Sequence, residues 1–341
     1  MSEPAHDLSH QRSKSTSMPE PPIPSTAPYP IFDLDKWTRG EAEPGGDEEK
    51  RWFHPPSDHD LISRWLFKPR TVKELKRSKA AIKSGDIPKM HVGGEDWAEK
   101  VAFETARLLH MPAAETQLAT VTRLTTGARV QGSMSRDMRS DNWTWSAGAA
   151  LLSELDPIGF DADSCDGHTL EAIHSVLNGL HPADLAFRVW PAFDMFAGYL
   201  MLDALIANTD RHAHNWGILT SPDGTQFLGP TFDHGTAFGS GLGETKIAQI
   251  VSEDGTADWC RNGLTKRFDG GSRIDLVELA STALLLASQP AREYWTQRIE
   301  SLELAHCESI IASCSKMSEP TRIFVHTVLE TNRRRLIDVL H

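Results

Sequence analysis

The chain has 341 residues, and 35 Lys and Arg against 47 Asp and Glu give a formal net charge of −12 at neutral pH. That length suits one large or two ordinary domains, and 39% hydrophobic with 24% charged residues excludes a collagen-like or wholly disordered chain. The acidic balance argues against a dedicated nucleic-acid binder, whose basic footprint would dominate, so an anionic ligand must find a local basic pocket. Cys165, Cys260, Cys307 and Cys314 form no CxxC pair and read as reduced thiols of a cytoplasmic protein. No signal-peptide core opens the sequence, and its longest apolar stretch, 193–208, is broken by Asp194 and Asp203. Neither secretion nor a membrane span is expected.

Residues 1–28 are rich in Ser and Pro and carry too few large apolar side chains to offset ordering entropy; they read as a disordered tail. Between 31 and 69 the pattern is short and strand-like, in FDLDKW, KRWFHPP and RWLFKP, with Gly40, Gly45 and Gly46 between the first two. A basic, solvated stretch occupies 73–89. GEDWAEKVAFETARLLHM has helical spacing, with Asp96 as N-cap and Pro112 as stop. TQLATVTRLTTGARVQGSMS reads as one or two strands around a Thr-Thr-Gly turn, the last approaching a loop at 133–139. From Trp145 onward helical patterns dominate: GAALLSEL, HTLEAIHSVLNGL, and FDMFAGYLMLDALIAN, which is apolar on nearly every side and belongs at the centre of a core. WGILTSP and TQFLGPTFDHG interrupt them as a hairpin around Pro222-Asp223-Gly224, and the rest, through FVHTVLETNRRRLIDVL, is again helical.

The chemistry concentrates in NTDRHAHNWGILTSPDGTQFLGPTFDHGTAFG. Phosphoryl transfer needs one carboxylate to orient or deprotonate the acceptor, and an amide with a second carboxylate to hold magnesium on nucleotide phosphates. Asp210, Asn215 and Asp233 supply those types in that order, with the Asp-to-Asn spacing of a kinase catalytic loop. A hairpin between Asn215 and Asp233 would bring the two metal ligands together. Lys68, emerging from a strand, is placed to bind the inner phosphates, and Glu99 on the next helix to pair with it. Gly45 and Gly46 are candidates for the phosphate loop, although RGEAEPGGDEEK is acidic and lacks GxGxxG. A hinge reading adenine is expected at 133–138, from Ser133 to Met138.

FDMFAGYLMLDALIANTDRHAHNWGIL followed by LGPTFDHGTAFG resembles the catalytic region of HipA-like serine/threonine kinases, and WLFKP, DWAEKVAFETARLLHMP and MSEPTRIFVHTVLETNRRRL extend the resemblance over most of the chain from about residue 60. It implies a bilobal α+β protein-kinase-like fold, with an ATP-binding N-lobe at 29–140 and a helical C-lobe at 141–341. It also implies ATP and Mg2+ as cofactors, Asp210 as catalytic Asp, Asn215 and Asp233 as magnesium ligands, Lys68 as phosphate lysine and Glu99 as its partner. The acceptor would be an unidentified protein, or the kinase itself. A short tail is expected before the core in place of an extra N-terminal domain, and the resemblance does not establish a toxin–antitoxin role or an antitoxin-like regulator.

Other readings remain at this level. Asp210 and Asn215 are also common in turns and caps, and Asp96-x-x-Glu99 fits a variant capping box. The acidic segment in place of a glycine loop is compatible with a nucleotide-binding pseudokinase. His212, His214 and His234 with Asp210 and Asp233 resemble the ligand spacing of a metal-dependent hydrolase.

Overall fold

The computed structural model describes residues 23–24, 27–42, 50–61, 63–74 and 90–341. Most of the 1–28 tail, the glycine pair at 45 and 46, and most of the basic stretch lie outside these residues. The N-terminal half contains β1 (Ile31–Asp33), β2 (Thr38–Ala42), β3 (Arg51–His54), β4 (Trp65–Pro69), β5 (Val72–Glu74) and β6 (Met90–Val92), then α1 (Glu95–Leu108), β7 (Thr116–Thr122) and β8 (Arg129–Arg136). Six of these strands form one sheet in the order β1-β7-β8-β4-β3-β2, with β1 parallel to β7 and all other pairs antiparallel. β5 and β6 form a separate ribbon.

Side chains alternate across a strand, and along β4 this decides the function of the sheet. Trp65 and Phe67 join Leu34, Trp37, Phe53, Ala119, Val121 and Met134 in a buried cluster. Leu66 and Lys68 therefore face the other way, toward α1 and the cleft. The β4–β8 register sets Lys68 opposite Ser133 and Pro69 opposite Gly132. At Gly132 a Cβ would lie 2.1 Å from the Lys68 carbonyl oxygen, so only glycine lets β8 approach this closely.

The expected first helix is present, but its cap differs from the sequence reading. Gly94, not Asp96, is the N-cap, and the Asp96 carboxylate accepts from the backbone N of Trp97 at 2.9 Å. Glu99 makes no capping bond and points out of the helix toward Lys68. The capping-box alternative thus falls away.

After β8 the chain runs through β9 (Thr144–Ala147), α2 (Gly148–Leu155), α3 (Leu170–Leu177), β10 (His181–Pro182), α4 (Ala192–Leu205), β11 (Gly217–Thr220) and β12 (Gln226–Leu228). There follow α5 (Glu244–Ser252), α6 (Thr256–Arg261), β13 (Leu264–Thr265), β14 (Ile274–Asp275), α7 (Leu276–Leu286), α8 (Gln289–Glu300), α9 (Leu304–Ser313) and α10 (Glu319–Leu340). Every residue of α4 is buried, as its uniform apolarity requires, and α7, α8 and α10 pack around it. The β11–β12 hairpin pairs Ile218 with Leu228 and Thr220 with Gln226, flanked by β9 and β10 in a second sheet. No described helix is long and apolar enough to cross a membrane, and all four cysteines are buried and unpaired.

Gly198 marks a tight contact in this core. A Cβ there would sit 2.4 Å from Cε2 of Trp295, whose indole also donates to the Asp194 carbonyl at 3.0 Å. Gly198→Val should lower the unfolding free energy by about 3 kcal/mol, because the interior cannot admit the added volume without shifting the ring. A chemical-denaturation midpoint equal to that of the wild type would contradict this packing.

Candidate active site

The site begins where α4 ends. Apolar packing carries the helix to Leu205, and the chain then reverses at Ala207, with φ 53. Two polar residues survive burial here because each is satisfied. Asn208 donates to Asp203 at 2.7 Å, while its carbonyl oxygen accepts from the Thr236 hydroxyl at 2.6 Å. Arg211 donates from Nε and Nη2 to the two Asp203 oxygens, each at 2.7 Å, with both residues' side chains 2% exposed. It donates further to the Asn215 carbonyl at 2.7 Å and to the Thr231 hydroxyl at 2.9 Å.

This clamp shapes the 208–216 loop. Asn215 donates its side-chain amide to the Asp210 carbonyl at 2.8 Å, joining the two predicted residues directly. His212 braces the turn by accepting from the His214 amide at 3.2 Å, and its Nε2 stands 4.0 Å from Asp210 Oδ2. From Asn215 the hairpin runs out and back, and Gly229 N bonds the Gly217 carbonyl at 3.0 Å. The return delivers Asp233 to the cleft in the left-handed region, with φ 61, which aspartate tolerates better than most residues.

Lys68 meets that carboxylate from the other half of the molecule. Its Nζ donates to Asp233 at 2.9 Å and to Glu99 at 3.4 Å. The second Glu99 oxygen accepts from the backbone N of His234 at 3.0 Å, so α1, β4 and the Asp233 segment are bound together. Around these groups lies a cleft of about 950 Å³, with Leu66, Ala114, Met138 and Phe232 on its apolar walls and Lys50, Lys68, Asn215 and Asp233 among its polar ones.

The electrostatics follow from this crowding. Burial opposes ionisation of Asp233, but Lys68 and then Lys50 more than offset it and hold the carboxyl well below the usual carboxylate range. Burial pushes the Glu99 carboxyl up, against the opposing pull of Lys68. Burial also keeps His234 well below the usual histidine range, with Arg211 acting in the same direction.

Two oxygens of this constellation suit a hard cation. With its amide nitrogen spent on the Asp210 carbonyl, Asn215 keeps a side-chain oxygen that makes no hydrogen bond among the described residues, and Asp233 keeps the oxygen that Lys68 leaves. An amide and a carboxylate oxygen match magnesium. The histidine-based metal site fares worse. His234 is turned inward, its Nε2 2.9 Å from the Thr231 hydroxyl and 3.3 Å from Arg211, and no group of three His, Cys, Asp or Glu among the described residues could hold a metal ion.

The remaining candidates separate. Met138 lines the cleft, whereas Ser133 is buried in the sheet beside Lys68 and the cleft wall begins at Ser135. Sequence reasoning assigned no edge role to Arg64, or to Asp137 and Arg139 within the expected 133–139 loop; the three form the cleft's edge. Arg64 and Arg139 both donate to Asp137, at 2.7 and 2.9 Å, and Arg64 lies 4.2 Å above the Trp52 ring. It also missed Arg211, although an aspartate inside an apolar helix, Asp203, was a signal that a buried cation must be near.

No family model matches the sequence, and no curated protein does. Among solved structures the chain is similar to the Helicobacter pylori proinflammatory kinase CtkA, with a TM-score of 0.66 and 17% identity over 92% of this chain and 98% of that one. It is also similar to a chain of the Shewanella oneidensis complex of the HipA and HipB toxin–antitoxin system with operator DNA, at a TM-score of 0.46 and 13% identity, covering 86% of this chain and 64% of that one. The first likeness shows the fold: a bilobal kinase-like α+β architecture, with a small β-rich lobe and a larger, mostly helical one.

Two measurements test the supports of the loop. Asp203→Ala strands the Arg211 charge in the interior and should cost about 3–5 kcal/mol of stability; an unchanged denaturation midpoint would refute the clamp. His168, whose Nε2 accepts from Trp216 at 3.1 Å, is pushed from 6.5 down to about 4, chiefly by burial. Its folded form is neutral, so its contribution, about 3 kcal/mol, is complete above pH 6.5 and is lost as pH falls toward 4. The acid-side slope of stability against pH should flatten in His168→Gln, and an identical slope would show that the ring does not titrate as described.

Proposed function

We propose that the chain is an ATP- and Mg2+-dependent kinase that transfers the γ-phosphate to a Ser or Thr hydroxyl of a protein. The observation that carries this reading is the convergence of Lys68, Asn215 and Asp233 on one cleft, with Lys68 Nζ 2.9 Å from Asp233, beside the loop that bears Asp210. The cleft volume lies in the range of small-molecule sites, and its apolar walls suit a purine ring.

In this reading Lys68 binds the inner phosphates, exchanging part of its contact with Asp233 for phosphate oxygens, while Glu99 keeps its ammonium aimed into the cleft. Asn215 and Asp233 would hold magnesium, which supplies neutralisation of the phosphate charge that develops in the transition state. Asp210 orients the acceptor hydroxyl and takes its proton as the new O–P bond forms and the bond from Pγ to the leaving ADP oxygen breaks. The acceleration comes from positioning and fixed charge, with no covalent enzyme intermediate.

Asp210→Ala should reduce transfer of labelled γ-phosphate by about 10³-fold while keeping ATP-dependent thermal stabilisation. Asp233→Asn should instead weaken the magnesium-dependent part of that stabilisation. Equal phosphate incorporation by wild type and Asp210→Ala would remove Asp210 from the reaction, and stabilisation by ATP with no transfer at all would identify a nucleotide-binding pseudokinase.

A further inference from the structure

One cation beside Asp210 has no part in the chemistry above. Arg267, in the connection between β13 and β14, donates from Nε to Asp210 Oδ1 at 2.7 Å. Its side chain is nevertheless 43% exposed, and its two terminal nitrogens make no hydrogen bond among the described residues. Arg267 is not among the residues lining the nucleotide cleft. Asp210 does not line that cleft either, so the pair stands beside the cavity, and in the kinase reading the acceptor meets Asp210 there.

The backbone beneath the guanidinium is pinned at both of its polar groups. Arg267 N donates to the Thr265 hydroxyl at 3.1 Å, and that hydroxyl donates to the Thr209 carbonyl at 2.9 Å. The Arg267 carbonyl is bonded by the ring of His168, which stacks on Phe268 with centroids 4.4 Å apart. The side chain can swing, but its root cannot leave Asp210.

An acceptor hydroxyl must come within about 2.6–3.2 Å of Asp210, and Arg267 already occupies one of the two oxygens at that spacing. Whichever oxygen the hydroxyl takes, a guanidinium with open donors stands within a side-chain length of it. Such a planar fork matches a carboxylate or phosphate bidentately, its strongest pairing. Lys266 lies exposed next to Arg267 and adds charge of the same sign. The chain's net charge of −12 does not decide the matter, because exposed charges farther than about 8 Å are screened at physiological salt.

We infer that Arg267 is the specificity-determining residue of the acceptor site, and that it selects hydroxyls flanked by an acidic side chain. This rests on the kinase reading of the same site.

The test uses the full chain with Mg2+ and ATP, and serine peptides that differ only in having Asp, Ala or Lys beside the acceptor. The wild type should favour the Asp peptide over the Ala peptide by about tenfold in kcat/KM, mainly through KM. Arg267→Ala should erase that preference, Arg267→Glu should transfer it to the Lys peptide, and Arg267→Lys should restore part of it. The same ranking of peptides in wild type and Arg267→Glu, or no acidic preference in the wild type, would overturn the inference while leaving the kinase intact. ATP turnover with no peptide phosphorylated would overturn it too. Absence of any magnesium-dependent ADP formation would bring down the kinase reading, and this inference with it.

Discussion

A single buried guanidinium organises the candidate site in the helical half of the molecule. Arg211 has been taken out of water, which is tolerable only where its charge is paired and its donors are used. Asp203 supplies the charge, and the Asn215 carbonyl and Thr231 hydroxyl take further donors. Those partners come from the end of α4, the loop after it and the segment that returns from the hairpin. Satisfying one cation therefore forces three separate stretches of chain to meet, and the residues they carry, Asp210, Asn215 and Asp233, are positioned by that meeting. The burial of α4 on every side gives the arrangement a rigid base.

Lys68 plays the corresponding role between the two halves. It is shared by Glu99 and Asp233, one carboxyl raised by burial and the other kept ionised by the lysine itself. A cation held by two acids keeps its orientation when one of the two contacts is exchanged for another anion. Glu99 also accepts from the backbone of His234, so the same side chain that aims Lys68 fixes the segment carrying Asp233. This coupling explains why a glutamate one turn into α1 is buried and yet makes no helix cap.

Much of the candidate site was legible before any coordinates. Asp210, Asn215, Asp233, Lys68 and Glu99 lie on elements that hydrophobic pattern and turn residues locate: a strand alternating Trp65, Leu66, Phe67 and Lys68, a helix of 3.6-residue period, and a hairpin with Gly224 at its turn. Local spacing could not show the arginines, because their partners are distant in sequence. Arg64 finds Asp137 across 73 positions and Arg267 finds Asp210 across 57, and neither pairing leaves a periodic trace. The N-cap of α1 was misplaced for a related reason: Asp96 has the right type for a cap, but with Trp97 buried the helix already starts after Gly94, and Asp96 lies inside it.

The order of donors and acids along the chain and the central place of α4 were determined by the sequence alone, since each follows from residue type and hydrophobic pattern, whereas the continuous apolar run Trp65-Leu66-Phe67 left the face of Lys68 to the sheet pairing. The pairing of Lys68 with Asp233, the inward turn of His234, the charge clamp under Asp210 and the guanidinium over it were decided only when the chain closed on itself. The physical reason is that burial and electrostatic partnership depend on distances between elements, and no single element contains them.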